Sequence, residues 1–445
     1  MATKTRTRPA SHKAVDVVEV SAWGKRVGAV AREPTKNYYA FQYDPAWIRG
    51  GIELAPVAMP LKQADEPFLF TDLPQATFKR LPALLADALP DDFGNALIDA
   101  WMAERGIGKE EVTALDRLAY MGKRGMGALT FGPMRGPAPS KSTAVEMGTL
   151  VDAARKAVQG DFDGDDHAKT ALKQIIQVGT SAGGARAKAT IAWNPATQEV
   201  RTGQFEIPEG FDAWLLKFDG MGTDSQLGPS RSYGRIEYAY HLMAVAAGVD
   251  MSECRLLREN GRAHFMTRRF DRTGNGRHHM QTLCAISHLD YKQVGTHSYN
   301  QLLQAAQSLG LGRAAMAQIL RRMVLNVLGV NNDDHTKNFS FLLREGGRWE
   351  LAPAYDITHA YRADSEWVAR HQMAINGKFD NITRADVREV AERFDLLAEM
   401  PDAIARVSDA VARWRSFALD AEVDPGEAGG IESDMAGRAK IFANR

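Results

Sequence analysis

The chain has 445 residues, in which 55 lysines and arginines balance 55 aspartates and glutamates, and only two cysteines. That length exceeds one usual core, so two or three domains are expected, and the charge balance excludes a global field that would draw nucleic acid or an acidic membrane surface. Cys254 and Cys284 make no disulfide framework, and no apolar run approaches the roughly 18 residues that cross a bilayer, so neither a membrane anchor nor a signal peptide is expected and the location is read as cytoplasmic.

Residues 1–14 are basic, polar and aperiodic and read as a disordered tail. Runs at 15–20, 27–31 and 38–41 predict short strands. Apolar residues between 81 and 120, interrupted at Pro90, predict helices, and Gly122, Gly125 and Gly127 close a first unit over 15–131. The stretch 132–143 mixes Gly, Pro and Ser without apolar period and reads as a linker.

A second unit, 144–272, opens on a helix at 145–158. Gln174-Ile-Ile-Gln-Val178 then runs into the glycine-rich Gly179-Thr-Ser-Ala-Gly-Gly-Ala-Arg-Ala-Lys188 and a strand at 189–193. Glycines let backbone N–H groups approach phosphate oxygens. Taken alone, such a hairpin is more often only a turn, and Ala185 stands where a Walker lysine belongs. Trp214-Leu-Leu-Lys-Phe218 is a strand whose Lys217, in apolar company, either snorkels or faces an anion. The helix that follows carries Glu237 in its first turn, a position that serves either the helix dipole or Lys217. Segments 254–258 and 263–270 read as an antiparallel pair.

The third unit, 273–420, is expected to be mainly helical, with 421–445 a loose polar tail. Within it Met316, Ile319, Leu320, Met323, Val324, Val327 and Leu328 recur at helical spacing and deliver the polar loop Asn331-Asn-Asp-Asp-His-Thr-Lys-Asn338 to the rim of a cleft. A hairpin turning at Gly346-Gly347 returns Asp356 to that loop. Ile404, Val407, Val411, Trp414 and Phe417 stripe a last helix as core. Asp333, Asn338 and Asp356 therefore converge. Phosphoryl-transfer sites use an Asp on the acceptor hydroxyl, an Asn five residues later on magnesium, and a further Asp on magnesium against the ATP phosphates.

The ordered set Ser181-Ala-Gly-Gly-Ala-Arg-Ala-Lys188, Lys217, Arg269-Phe-Asp-Arg272, Asn332-Asp-Asp-His-Thr-Lys-Asn-Phe-Ser340 and Leu351-Ala-Pro-Ala-Tyr-Asp356 resembles the HipA family of toxin kinases. The resemblance extends into the first unit through Phe41-Gln-Tyr-Asp44, Leu54-Ala-Pro56, Leu89-Pro-Asp-Asp-Phe-Gly94 and Arg124-Gly-Met-Gly-Ala-Leu129. It implies an α+β, two-lobed protein-kinase-like fold with an additional amino-terminal subdomain and a mainly helical carboxy-terminal lobe.

By the same resemblance, Asp333 is the catalytic base, and Asn338 and Asp356 hold Mg2+. ATP meets Gly183, Gly184, Ala185, Arg186, Ala187 and Lys188, then Lys217, a hinge at Arg268, Arg269 and Phe270, and His335, Lys337, Asn338, Tyr355 and Asp356. Ser181, with Thr180 as its nearest competitor, is the autophosphorylated residue that switches the enzyme off. Two departures stand out. This chain has Gly184-Ala-Arg-Ala-Lys-Ala189 where the family commonly has Gly-Ala-Gln-Glu-Lys-Thr, and Arg268 replaces the hinge acid. The implied activity is transfer of the ATP γ-phosphate to a serine or threonine of a protein, an aminoacyl-tRNA synthetase by class, arresting growth. The implied partner is a small DNA-binding HipB-like antitoxin, with DNA reached only through it and no membrane involved. The first unit, free of candidate catalytic groups, is expected to regulate and to bind that antitoxin. A catalytically silent corepressor in an antitoxin–DNA complex and a small-molecule kinase are the rival readings.

Overall fold

Alternating buried and exposed side chains from Val17–Ala22, Lys25–Glu33 and Tyr38–Tyr43 form an antiparallel meander whose apolar face includes Val18, Val20, Val30, Phe41 and Tyr43. A fourth strand, Leu129–Gly132, returns across the whole first unit to pair with Val17–Ala22. Four residues at a glycine-rich end carry too little pattern to announce a strand. The computed structural model describes residues 13–138, 142–159, 175–176, 187–219 and 232–443.

Beyond the linker, a five-stranded antiparallel sheet runs in the order Val200–Thr202, Lys188–Trp193, Asp212–Lys217, Arg262–Arg268, Cys254–Glu259. Its register sets Lys188 directly across from Lys217. Two like charges on one face of neighbouring strands repel unless carboxylates come to both, and this packing supplies them. The helix Tyr233–Ala246 lies on the sheet so closely that a Cβ at Gly234 would come within 2.7 Å of the Ala263 carbonyl oxygen, and one turn later Glu237 reaches Lys217.

The carboxy-terminal lobe is built around Arg313–Leu328, whose Ile319, Leu320, Met323 and Val324 are fully buried. It also carries an antiparallel sheet of His279–Thr282, Ser340–Leu343 and Trp349–Leu351, the last two joined at Gly346 with φ +71°. The expected last helix is two, Met400–Ala412 and Trp414–Asp420. The expected loose tail is instead a helix, Pro425–Ala443, that buries Ile431, Met435 and Phe442 against this lobe. No helix among the described residues is long and apolar enough to cross a membrane.

The first unit is not a separable appendage. One continuous apolar core joins its sheet to Trp193, Trp214, Leu216 and Met266 of the five-stranded sheet. A buried carboxylate locks the join: Asp271 takes Arg269 at 2.8 Å, Arg272 at 2.5 Å and the Gly127 N–H at 2.8 Å, while Arg272 and Arg277 donate to the Gly125 and Gly127 carbonyls. Burial alone would raise the Asp271 pKa; the two guanidinium groups hold it well below the carboxylate range. Truncation near Ser140 would strip this core.

His279 adds a pH-sensitive tie. Its Nε2–H donates to the Leu54 carbonyl at 3.1 Å, its Nδ1 meets no hydrogen-bond partner among the described residues, and burial pushes its pKa down to about 4. Because the folded value lies below the ordinary 6.5, the neutral ring's contribution is complete above about pH 6.5 and is lost as pH falls towards 4. Melting temperature measured from pH 7 to 4.5 should therefore fall more steeply in the wild type than in His279→Gln; equal slopes would remove His279 from this role.

Candidate active site

Between the five-stranded sheet and the loop 331–338 lies a cleft walled by Leu215, Lys217, Phe265, Thr267, Arg268, Phe270, Met280, Asn338, Tyr355 and Asp356. Lys217 ends its strand there with only 7 % exposure. Its Nζ lies 2.5 Å from Glu237 Oε1 and also contacts Asp356 Oδ1. The open question over Glu237 is thus answered in favour of Lys217. Burial raises the Asp356 pKa, but Lys217 outweighs it and holds the carboxyl at about 2. Asp356 occupies the left-handed region, φ 56°, which a short polar side chain tolerates.

Tyr355 presents its ring to Phe270, centroids 5.6 Å apart, and its hydroxyl donates to the Lys337 carbonyl at 2.6 Å. That bond ties the hairpin exit to the polar loop. Of the expected hinge, all three residues line the cleft, but the Arg269 side chain is spent inside the fold on Asp271.

Asp333 opens into an adjoining groove that shares Leu89, Asp91, Lys337 and Asp356 with the cleft. Its Oδ1 accepts from Trp367 Nε1 at 2.6 Å, and its backbone carbonyl accepts from Asn338 Nδ2 at 2.7 Å. The next residue points the other way. Asp334 is buried, taking the Tyr299 hydroxyl at 2.8 Å, His371 at 3.0 Å and the Gln372 N–H at 2.7 Å. With Asn332 donating to the Val368 carbonyl at 3.0 Å, these bonds fasten the segment carrying Trp367 to the loop carrying Asp333.

Three expected nucleotide contacts do not line the cleft. His335 sits in the groove beside Asp333, Nε2 to Oδ1 3.7 Å, and burial lowers its pKa to about 4, so it is neutral near pH 7. Lys188 turns its ammonium to Asp91 at 2.8 Å, both side chains nearly solvent-free, and Ala187 gives its carbonyl to the Phe218 N–H. Lys188 and Ala187 line neither the cleft nor the groove. Thr180, Ser181, Gly183, Gly184, Ala185 and Arg186 lie outside the described residues.

Sequence reasoning missed the contribution of the first unit. Asp87, Leu89, Asp91 and Met126 all face the cleft, although that unit was expected to hold no catalytic-site group. Asp87 accepts from the Thr282 N–H and hydroxyl at 2.7 and 2.8 Å, and Asp91 also caps the helix Asp92–Ala103. Leu89 and Asp91 stand in the run Leu89-Pro-Asp-Asp-Phe-Gly94 and Met126 in Arg124-Gly-Met-Gly-Ala-Leu129, whereas Asp87 had no signal. Trp367, far along the chain, had none.

Asn338 and Asp356 offer an amide and a carboxylate oxygen, hard donors suited to magnesium completed by phosphate and water. Among the described residues no group of three or more His, Cys, Asp or Glu forms a self-sufficient metal cage. The donor set fits an ion that arrives with its phosphates.

The sequence matches the profile of the HipA-like C-terminal domain over residues 180–414 and that of the HipA N-terminal domain over 18–132. Among solved structures the chain is similar to that in the HipA, HipB and operator DNA complex of the Shewanella oneidensis MR-1 toxin–antitoxin system. The TM-score is 0.66 at 18 % identity, covering 96 % of this chain and 97 % of that one. It also shows a partial likeness to the Helicobacter pylori proinflammatory kinase CtkA, TM-score 0.35 at 12 % identity, over 53 % of this chain and 89 % of that one. No curated protein matches the sequence significantly.

Proposed function

Since the chain belongs to the HipA family, with both of that family's domains in order, we propose that it is a toxin kinase that transfers the ATP γ-phosphate to a serine or threonine of a protein. The observation that carries this reading is the division of one site into two chambers: an apolar cleft ending at Lys217 and Asp356, and a polar groove at Asp333. Nucleotide fits the first. Its base would lie against Phe270 and Tyr355, its phosphates would reach Lys217, and Asn338 and Asp356 would hold Mg2+, which supplies positive charge against the phosphates when bound. Asp333 then orients the acceptor hydroxyl and takes its proton, held for that task by the Trp367 indole.

The complex named above supports a HipB-like antitoxin as partner, and an aminoacyl-tRNA synthetase as target class is part of the proposal, taken from the family resemblance alone. Self-inactivation through Ser181 belongs to the same proposal. A silent corepressor would have no reason to keep Asp333, Asn338 and Asp356 in this geometry. Incubation of the purified chain with γ-labelled ATP and magnesium, alone and then with a lysate, tests the proposal. Label on the chain at Ser181 and on a lysate protein supports it; label at Thr180 alone moves the switch, and label only on small molecules replaces the proposal with the rival kinase.

Trp367→Phe keeps the ring and removes the N–H. Hydrogen bonds to charged groups contribute about 1.5–3 kcal/mol, so transfer should slow on the order of ten- to a hundredfold. ATP affinity should hold. An unchanged transfer rate would reduce Trp367 to packing.

A further inference from the structure

The groove at Asp333 does not end there. It runs out over the first unit past Tyr291, Lys292 and Lys79, and Lys79, Asp92 and Asn95 also line the depression that continues towards Arg32, Arg80 and Glu110. An extended polar channel leading from a catalytic carboxylate is the shape an acceptor polypeptide requires. Its charge is uneven. Asp91 and Asp356 are taken up by Lys188 and Lys217, and Asp99 by Arg117 at 2.6 Å. By contrast, Lys79, Lys292 and Lys337 have no carboxylate within salt-bridge distance among the described residues.

The three ammonium groups are also gathered. Lys337 Nζ lies 4.9 Å and Lys292 Nζ 5.8 Å from the Tyr291 ring centroid, on the wall shared with His335 and Trp367. Lys79 lines the same groove wall as Lys292; partial burial and then Lys292 lower its pKa, opposed in part by Asp92 beside it. The backbone that presents it is unusual. Lys79 and Arg80 are consecutive non-glycine residues in the left-handed region, φ 53° and 66°, pinned by bonds from the Lys79 N–H to the Gln75 carbonyl and from the Tyr39 N–H to the Arg80 carbonyl. Such conformations persist where the surroundings hold them and gather at ligand clamps.

We infer that this groove is the docking site for the acceptor segment, and that Lys79 and Lys292 select a segment with acidic side chains beside the acceptor serine or threonine. The inference rests on the reading of Asp333 as the group that meets the acceptor hydroxyl. Lys79 and Lys292 contact the acceptor and not the nucleotide, since neither lines the ATP cleft.

The test uses the full-length chain and two synthetic peptides with the same serine, one flanked by Asp and Glu, the other by Lys and Arg. Wild type should use the acidic peptide with the higher kcat/KM. The exposed double variant Lys79→Glu, Lys292→Glu should lower that value about tenfold, as expected for reversing two surface charge contacts, and raise the value for the basic peptide. Its ATP dissociation constant, measured by calorimetry, should match the wild type. Equal use of both peptides, preference for the basic one, or a double variant that keeps the acidic preference would overturn the inference while leaving the kinase reading intact. Transfer to no acceptor, the chain itself included, would overturn both.

Discussion

Asp333→Asn should bind Mg-ATP as the wild type does and transfer its γ-phosphate on the order of 10²–10⁴ times more slowly, the usual worth of a positioned acid–base group. The substitution is nearly isosteric, and an asparagine oxygen can still accept from Trp367 Nε1, now at 2.6 Å from the carboxylate. The backbone carbonyl that receives Asn338 is untouched. What disappears is the carboxylate proposed to accept the hydroxyl proton. Single-turnover transfer and thermal melting measured on the same preparation decide it: a rate within about tenfold of wild type at an unchanged melting temperature falls below that range and removes Asp333 from catalysis.

Asp356→Ala should fail at an earlier step. On the proposed reading this carboxylate would be the anionic metal donor beside Asn338; it is also a counter-charge for Lys217, whose other partner, Glu237, remains. Magnesium-dependent ATP affinity should fall by on the order of tenfold or more, the low end of the loss expected when a hydrogen-bonded charge partner is removed. Asp333→Asn should lose almost none. Calorimetric titration of ATP with and without magnesium separates the two roles, and equal affinities for the two variants would contradict the assignment.

The parts of the fold legible in the sequence were those whose pattern is local. The apolar run before Lys217, the helical stripe from Met316 to Leu328 and the glycine turn at Gly346 each carry their own period or breaker, and each stands where expected. Elements recruited from afar were not legible. Leu129–Gly132 becomes a strand only because Val17–Ala22 offers it an edge. Pro425–Ala443 looks like a polar tail because four glycines dilute a helix whose buried residues are few.

The site divides in the same way. Asp333, Asn338 and Asp356 share one loop and one hairpin, so spacing exposes them. Asp91 and Trp367 reach the same place from distant parts of the chain, through a helix cap and through the Asp334 hydrogen bonds; the run Leu89-Pro-Asp-Asp-Phe-Gly94 marks Asp91 without placing it at the site, and no local pattern marks Trp367. Adjacent Asp333 and Asp334 are chemically identical in sequence; only packing sends one into the groove and the other to Tyr299 and His371.

Whether these two chambers carry a phosphate from nucleotide to protein is decided by a single-turnover experiment. The full-length chain is loaded with γ-labelled ATP without magnesium, magnesium is added with an acidic serine peptide, and the label is followed. Label should leave ATP in step with ADP formation and appear as an acid-stable phosphoester on protein or peptide, at a rate that collapses in Asp333→Asn. Label released only as free phosphate, or label that stays on ATP while nucleotide remains bound, would contradict the proposed transfer.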